Sequence, residues 1–239
     1  MKIKLAVFDV DGTLFDGNLG MEFIKTLRQN GFSTDKIGKE ITNWYIKYKN
    51  GEVEKSVAVD EIYKLHALGM KGTNENEIKK IALETWQKIN EKMYKFVPKL
   101  INFLKNKDYL VILLSGSPIE MIKVFGNELE IDEENIIAGE IEIIDEIYTG
   151  NIVSYPGSAE QKTEALLKLI EKRNIDIDWQ NSVAMGDDER DSKVLEKVGH
   201  PMVINPSEKL KDFAQNNGWK IVDENNIFSV VAGENKIEN

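Results

Sequence analysis

Five short stretches of this sequence are apolar without alternation: Ile3–Val10, Leu110–Ser115, Asn135–Ala138, Ser182–Met185 and Met202–Ile204. A strand with one face in water alternates apolar and polar residues, whereas a strand covered on both faces does not. Such runs therefore require a sheet flanked by helices on both sides, and amphipathic stretches supply them. After Pro98, a residue suited to a first helical turn, Leu100, Phe103, Leu104 and Lys107 follow helical spacing. Ala165, Leu166, Leu169 and Ile170 repeat that spacing, as do Leu210, Phe213 and Ala214. Strand and helix in alternation predict an α/β fold with a mostly parallel sheet.

One region departs from this rhythm. From about Asn18 to Phe96 only helical periodicity is present. Ile37, Ile41, Trp44, Tyr45 and Tyr48 share one face, and Ile78, Ile81, Ala82, Ile89, Met93 and Phe96 share another over five turns. Gly31, Gly51 and the Gly69–Gly72 stretch punctuate these helices. The spacing predicts a helical insert after the first strand, folded as a separate small bundle. Glu140–Val153 reads as two short strands around an acidic turn, and Glu234–Asn239 as a frayed tail.

Composition narrows the possible functions. The 239 residues suit one large domain or two small ones, and 41% hydrophobic with 30% charged residues is a globular balance. Cysteine is absent, which excludes disulfides, thiolate catalysis and cysteine-bound zinc. The longest apolar runs, such as Leu110–Leu114, fall far short of the roughly 20 residues that cross a bilayer, so no membrane role is expected. Met1–Lys4 leads into an apolar run that breaks at Asp9 without a small-residue cleavage site, so no signal peptide is expected and the cytoplasm is the expected compartment. Thirty-one basic against 41 acidic residues give a net charge of −10. No dense Lys/Arg block offsets it, so nucleic acid is not an expected partner. An anionic small substrate would need a local cation to overcome the same field.

The chemistry concentrates where the apolar runs stop. Val7-Phe8-Asp9-Val10-Asp11-Gly12-Thr13 ends a strand in two acids two residues apart. Ligands of open α/β sheets bind beyond the carboxyl ends of the strands. Met185-Gly186-Asp187-Asp188-Glu189-Arg190-Asp191 crowds acids at a second strand end. Crowded carboxylates raise one another's pKa unless a cation neutralises them, and hard oxygens suit Mg²⁺. Asp187 or Asp188 capping the helix that runs to Val198 is an equally consistent role. Ser115-Gly116-Ser117-Pro118 offers a hydroxyl and backbone donors before a helix, either as an anion site or as a plain Ser115 N-cap. Lys162 lies near a helix start, where positive charge opposes the helix dipole; an exposed lysine is the ordinary alternative.

In order and spacing these four blocks resemble the haloacid dehalogenase superfamily, and the C-terminal stretch resembles its phosphoserine-phosphatase-like branch. Asp9-Val-Asp11-Gly-Thr13 looks like the first motif, Ser115 the second, Lys162 the third, and Gly186-Asp187 through Asp191 the fourth. The resemblance implies a Rossmann-like core, residues 1–16 and 97–239, with an inserted helical cap at 17–96. It implies a phosphatase acting on a small phosphorylated molecule, with Asp9 as nucleophile and Asp11 as general acid and base. Mg²⁺ would be held by Asp9, the Asp11 carbonyl and Asp187, with Asp191 as a direct or indirect ligand and Asp188 as its substitute. Ser115, Gly116 and Lys162 would bind the phosphoryl group. An acid at position 11 favours phosphatase over dehalogenase or ion pump. Transfer of the phosphoryl group to an alcohol, or binding of a phosphometabolite without turnover, are the alternatives.

Substrate choice would rest with the cap. True phosphoserine phosphatases resemble this chain less there, since Asn18 stands near their cap glutamate and Arg28 is the only cap arginine. Arg190 also stands where that branch carries asparagine, so phosphoserine is not the expected substrate. Asn18 and Met21 are candidate substrate contacts, and Lys55 is a candidate anion partner. Met21, Trp44 and Tyr45 suit an apolar pocket or the cap's own core. His66 and His200 are expected to be structural.

Overall fold

The computed structural model describes residues 2–231; Met1 and residues 232–239, with the expected tail at Glu234–Asn239, lie outside the described residues. Strand β1 (Lys4–Phe8) lies in the middle of a seven-stranded sheet. It pairs in parallel with β2 (Tyr109–Pro118) on one side and β5 (Val183–Gly186) on the other. Beyond β2 come β3 (Ile136–Ile144) and β4 (Ile147–Ser154); beyond β5 come β6 (His200–Ile204) and β7 (Lys220–Val222). All pairs are parallel except β3–β4, the expected hairpin. Its turn residues Asp145 and Glu146 both adopt positive φ, at 50° and 64°, the twist that two-residue hairpin loops favour.

The unbroken apolar runs reflect burial on two faces. Ala6, Phe8 and Val10 pack into one hydrophobic cluster, and Leu5 and Val7 into another. Helices α7 (Ala159–Lys172), α8 (Ser192–Leu195) and α9 (Glu208–Asn216) cover the second face through Leu166, Val194, Leu195 and Leu210. Helices α5 (Val97–Lys105), α6 (Ile119–Glu128) and α10 (Ile227–Val231) cover the first. Strand β7 was not expected: two of its three residues are exposed, so it carries no apolar run. Among the described residues no helix is long and apolar enough to cross a membrane.

Between β1 and β2 the chain forms α1 (Leu19–Gln29), α2 (Asp35–Lys49), α3 (Lys55–Met70) and α4 (Glu75–Ile89). These do not make one isolated bundle. Leu19, Phe23 and Leu27 of α1, with Ile78, Ala82 and Trp86 of α4, belong to the main hydrophobic cluster under the sheet. Only Ile24, Ile41 and Ile62, with partly buried neighbours, form a separate small core linking α1, α2 and α3. The expected five-turn periodicity through Phe96 is interrupted. Helix α4 stops at Ile89, and a 3₁₀ turn, Asn90–Lys92, follows. Backbone bonds explain the break: Asp16 N–H donates to the Lys92 carbonyl and Tyr94 N–H to that of Leu14, tying this segment to the loop after β1.

Candidate active site

Strand order reverses at β1, so a crevice opens beyond the carboxyl ends of β1, β2 and β5. Phe8 is in register with Leu113 and Met185, which places the three exits side by side. Asp9 leaves β1 there, with its N–H on the Met185 carbonyl at 3.0 Å. Asp187 follows β5 directly. Carboxylate oxygens from Asp9, Asp187 and Asp191 lie within 4.8 Å of one another. Gly12 makes room for this convergence: its φ is +85°, and a Cβ there would collide with the Asp187 carboxylate. A Cβ at Gly186 would meet the Asp191 side chain in the same way.

Lys162 balances the cluster. It is the fourth residue of α7, whose start is fixed by a capping box between Ser158 and Gln161. The ammonium donates to Asp9 Oδ1 at 2.5 Å and to Asp191 Oδ1 at 2.6 Å, and the residue is 2% exposed. The lysine that opposes its own helix dipole is thus held by distant carboxylates and is not a surface group. Burial works against its charge, but Asp191 and Asp9 outweigh that and raise its pKa. Burial pushes Asp9 up to about 7, with the charges of Asp191 and Asp11 adding and Lys162 opposing. Burial, then Asp9 and Asp191, push Asp187 up to about 8.

Asp11 is held apart from that cluster. Its Oδ1 accepts the Leu19 N–H at 2.6 Å, the first peptide of α1, and its Oδ2 accepts Ser117 Oγ at 2.5 Å and Ser115 Oγ at 3.3 Å. Burial raises its pKa against these hydrogen bonds. Ser115 is not an N-cap: β2 continues to Pro118, and α6 starts without a side-chain cap. Its fully buried hydroxyl faces Asp11 and accepts the Ser117 N–H. Ser117, for which the sequence suggested no role, also accepts the Gly20 N–H at 3.0 Å, so it joins β2, Asp11 and α1. The available signal was the Ser-Gly-Ser spacing, which puts both hydroxyls on one face of a strand.

Asp188 takes the capping role left open for this segment. Its side chain accepts the Arg190 N–H while Asp191 Oδ2 accepts the Asp188 N–H, closing a capping box over the turn Glu189–Asp191. Both Asp188 oxygens are also ion-paired, Oδ1 with Arg190 Nε at 2.6 Å and Oδ2 with Lys55 Nζ at 2.5 Å. Despite burial, Arg190 and Lys55 hold it far below the usual carboxylate range. Its oxygens are therefore committed to these cations.

A single cavity of about 340 Å³ connects the carboxylates to the helical insert. From the core Asp9, Asp11, Gly116, Lys162 and Asp187 line it, with Ser115 buried against Asp11 and Asp191 against Lys162. From the insert Met21, Tyr48 and Ile62 line it, Tyr155 lines it beside Gly116, and Asn18 borders it while its Oδ1 caps α1 on the Met21 N–H. Tyr63, stacked on Tyr155 at 4.2 Å between centroids, adds an aromatic wall that helical periodicity did not single out. His66 is buried between Phe23 and Tyr63, and burial lowers its pKa to about 4, so it is neutral and structural. Trp44 packs on the insert's small core instead of the cavity.

The donor set fits a hard divalent cation. Among the described residues Asp9 Oδ2, Asp187 Oδ2 and the Asp11 carbonyl accept no hydrogen bond. Two of the acids are pushed toward neutrality, the condition a bound cation relieves. Both Asp191 oxygens, by contrast, already hold Lys162 and the Asp187 and Asp188 N–H groups.

The chain is similar in sequence and in fold to known proteins. The chain is 26% identical over 220 residues to the Inhibition of morphological differentiation protein of Streptomyces azureus, covering 91% of this chain and 77% of that one. It is 26% identical over 223 residues to a phosphoserine phosphatase of Archaeoglobus fulgidus, covering 88% of this chain but only 55% of that protein. A solved structure of a Bordetella pertussis Tohama I protein of unknown function superposes with a TM-score of 0.80 at 20% identity, over 93% of this chain and 99% of that one. Residues 6–196 match the haloacid dehalogenase-like hydrolases, and the chain belongs to that family.

Proposed function

We propose that this protein is a Mg²⁺-dependent phosphatase that hydrolyses a small phosphomonoester through a phosphorylated Asp9. The observation that carries the reading is the convergence at one end of the cavity: Asp9 lies with Asp187 and Asp191 inside 4.8 Å, and Lys162 bonds Asp9 at 2.5 Å. Residues 17–96 act as a cap over a core of residues 1–16 and 97–239. Cytoplasmic residence is part of the same proposal.

Asp9, the Asp11 carbonyl and Asp187 would hold the Mg²⁺, and Asp191 would orient them through Lys162 and the Asp187 N–H. When bound, the ion would neutralise the acids and the phosphoryl oxygens. Asp9 attacks phosphorus through its carboxylate as the bond to the alcohol oxygen breaks. Asp11 gives its proton to the departing alkoxide, a role its raised pKa suits. It then takes a proton from the water whose oxygen attacks phosphorus, and the Asp9–phosphoryl bond breaks to release inorganic phosphate. Lys162, the Gly116 N–H and, once its hydroxyl turns from Asp11, Ser115 hold the phosphoryl oxygens, where most of the developing charge lies. Ser117 and the Leu19 N–H keep Asp11 aimed.

The test is hydrolysis of p-nitrophenyl phosphate with Mg²⁺ or with chelator, by the wild type and Asp9→Asn. Turnover should require Mg²⁺ and fall by at least about 10³-fold in the variant. Full activity in Asp9→Asn, or no turnover of any phosphomonoester in a broad panel, would overturn the reading.

A further inference from the structure

The cavity carries a positive charge that the proposed hydrolysis does not use. Asp188, 2% exposed, is a single carboxylate shared by two cations, Lys55 from α3 and Arg190 from the loop after β5. The pairing leaves one net positive charge. Arg190 spends only Nε on Asp188; among the described residues neither terminal nitrogen of its guanidinium has an acceptor. Yet this side chain is only 19% exposed and lines the cavity, as does Lys55. Asp60 of α3 feels the charge of Arg190 without forming an ion pair. A guanidinium anchored by one nitrogen presents the other two as a fixed fork, the geometry that a carboxylate or phosphate matches with paired hydrogen bonds. The cavity that both cations line is also walled by apolar and aromatic side chains, among them Met21, Ile24, Ile62 and Tyr48.

Resting on the phosphatase reading, we propose that Arg190, with Lys55 beside it, receives a second acidic group of the substrate. The substrate class is then a phosphomonoester of a compact apolar or aromatic body that carries a carboxylate or a second phosphate. Arg190 is a specificity-determining residue, and Asp188 positions it. The wall that includes Lys55 and Arg190 offers the rest of the substrate a cation and hydrocarbon. An amine there would meet Lys55 and Arg190, so a simple amino-acid phosphate fits poorly. The site also explains how a chain of net charge −10 accepts a polyanionic ligand: the second charge meets its counterion inside the cavity.

The experiment compares kcat/KM for phenyl phosphate with that for 3- and 4-carboxyphenyl phosphate and for a phenyl phosphate bearing a phosphonate. The proteins are wild type, Arg190→Gln, Arg190→Lys and Lys55→Gln. The wild type should prefer at least one doubly acidic substrate by about tenfold or more, as expected for a charge-assisted pair. Arg190→Gln should collapse that preference, Arg190→Lys should restore part of it, and Lys55→Gln should reduce it less. Which acid is preferred separates carboxylate from phosphate. Equal losses on all substrates in Arg190→Gln, the mark of a contact to the transferred phosphoryl group, would overturn the proposal, as would no wild-type preference. If Arg190→Gln does not fold, Arg190→Lys and Lys55→Gln carry the same comparison. Calorimetric binding of phenylphosphonate and its 4-carboxy derivative reads the same discrimination without turnover. Discrimination in binding without hydrolysis would refute the phosphatase reading alone, and hydrolysis without discrimination would refute this proposal alone.

Discussion

Replacing Lys162 with methionine keeps an unbranched stem of similar length and deletes the ammonium. That ammonium donates to Asp9 and Asp191 at 2.5 and 2.6 Å from a residue 2% exposed, so the variant strands buried carboxylates. Removing one partner of a buried ion pair costs about 3–5 kcal/mol. A chain of this size shifts its Tm by roughly 2–4 °C per kcal/mol, so a drop of about 6–20 °C is expected at pH 8 without metal. The pH dependence has a definite sign. Asp9 and Asp187 already stand at about 7 and about 8 when folded, above the roughly 4 of an unfolded aspartate. Between those limits the folded state binds more protons than the unfolded state, so these groups make stability fall as pH rises. Losing the lysine, which holds Asp9 down, pushes that acid further up and steepens the fall. Calorimetric melts at pH 5 and pH 8, with and without Mg²⁺, should show most of the deficit recovered by acid, and part of it by Mg²⁺ at pH 8. A variant melting within about 2 °C of the wild type at pH 8 without metal would refute the charge balance assigned to Lys162. A deficit of equal size at both pH values would refute it too.

Other substitutions probe separate parts of the molecule. Glu120 is 7% exposed and accepts the Tyr148 hydroxyl on Oε1 at 2.6 Å, while Oε2 has no partner among the described residues. Burial raises its folded pKa, so wild-type stability falls as pH rises beyond the ordinary carboxylate range. Glu120→Gln keeps an acceptor for Tyr148 and cannot ionise; it should melt above the wild type at pH 8, with the gain shrinking toward pH 5. A lower Tm at pH 8 would contradict the account. Ser117→Ala removes the 2.5 Å bond to Asp11, which holds that acid's pKa down against burial. Activity should fall about tenfold, and the kcat/KM limb governed by Asp11 should move to higher pH. An unshifted profile would remove Ser117 as the group that positions Asp11.

Much of the framework could be read from the sequence because its causes are local. An apolar run that stops at Asp9, and another that stops before Asp187, mark strands buried on both faces whose ends face a crevice. The acidic hairpin turn is likewise local, since Asp145 and Glu146 need only their own positive φ. What escaped depends on contacts between distant segments. The Ile78–Phe96 pattern keeps helical spacing although the helix ends at Ile89, because the break comes from hydrogen bonds to Leu14 and Asp16, more than seventy residues earlier. Strand β7 forms by pairing with β6 and not by its own apolarity. Spacing alone predicted a self-contained insert, but α1 and α4 find better apolar partners under the sheet. Arg190 looked like a departure from a motif, and only its shared partner Asp188 gives it a physical setting. Lys162 lies between these cases. A cation in the first turn of α7 is locally unfavourable, and that cost is a signal of compensation elsewhere. The compensating groups are Asp9 and Asp191, which approach it only once β1, β5 and α7 are packed on one sheet. A residue that opposes its own helix is therefore a better guide to a buried site than one that agrees with it, because only a tertiary contact can hold it there.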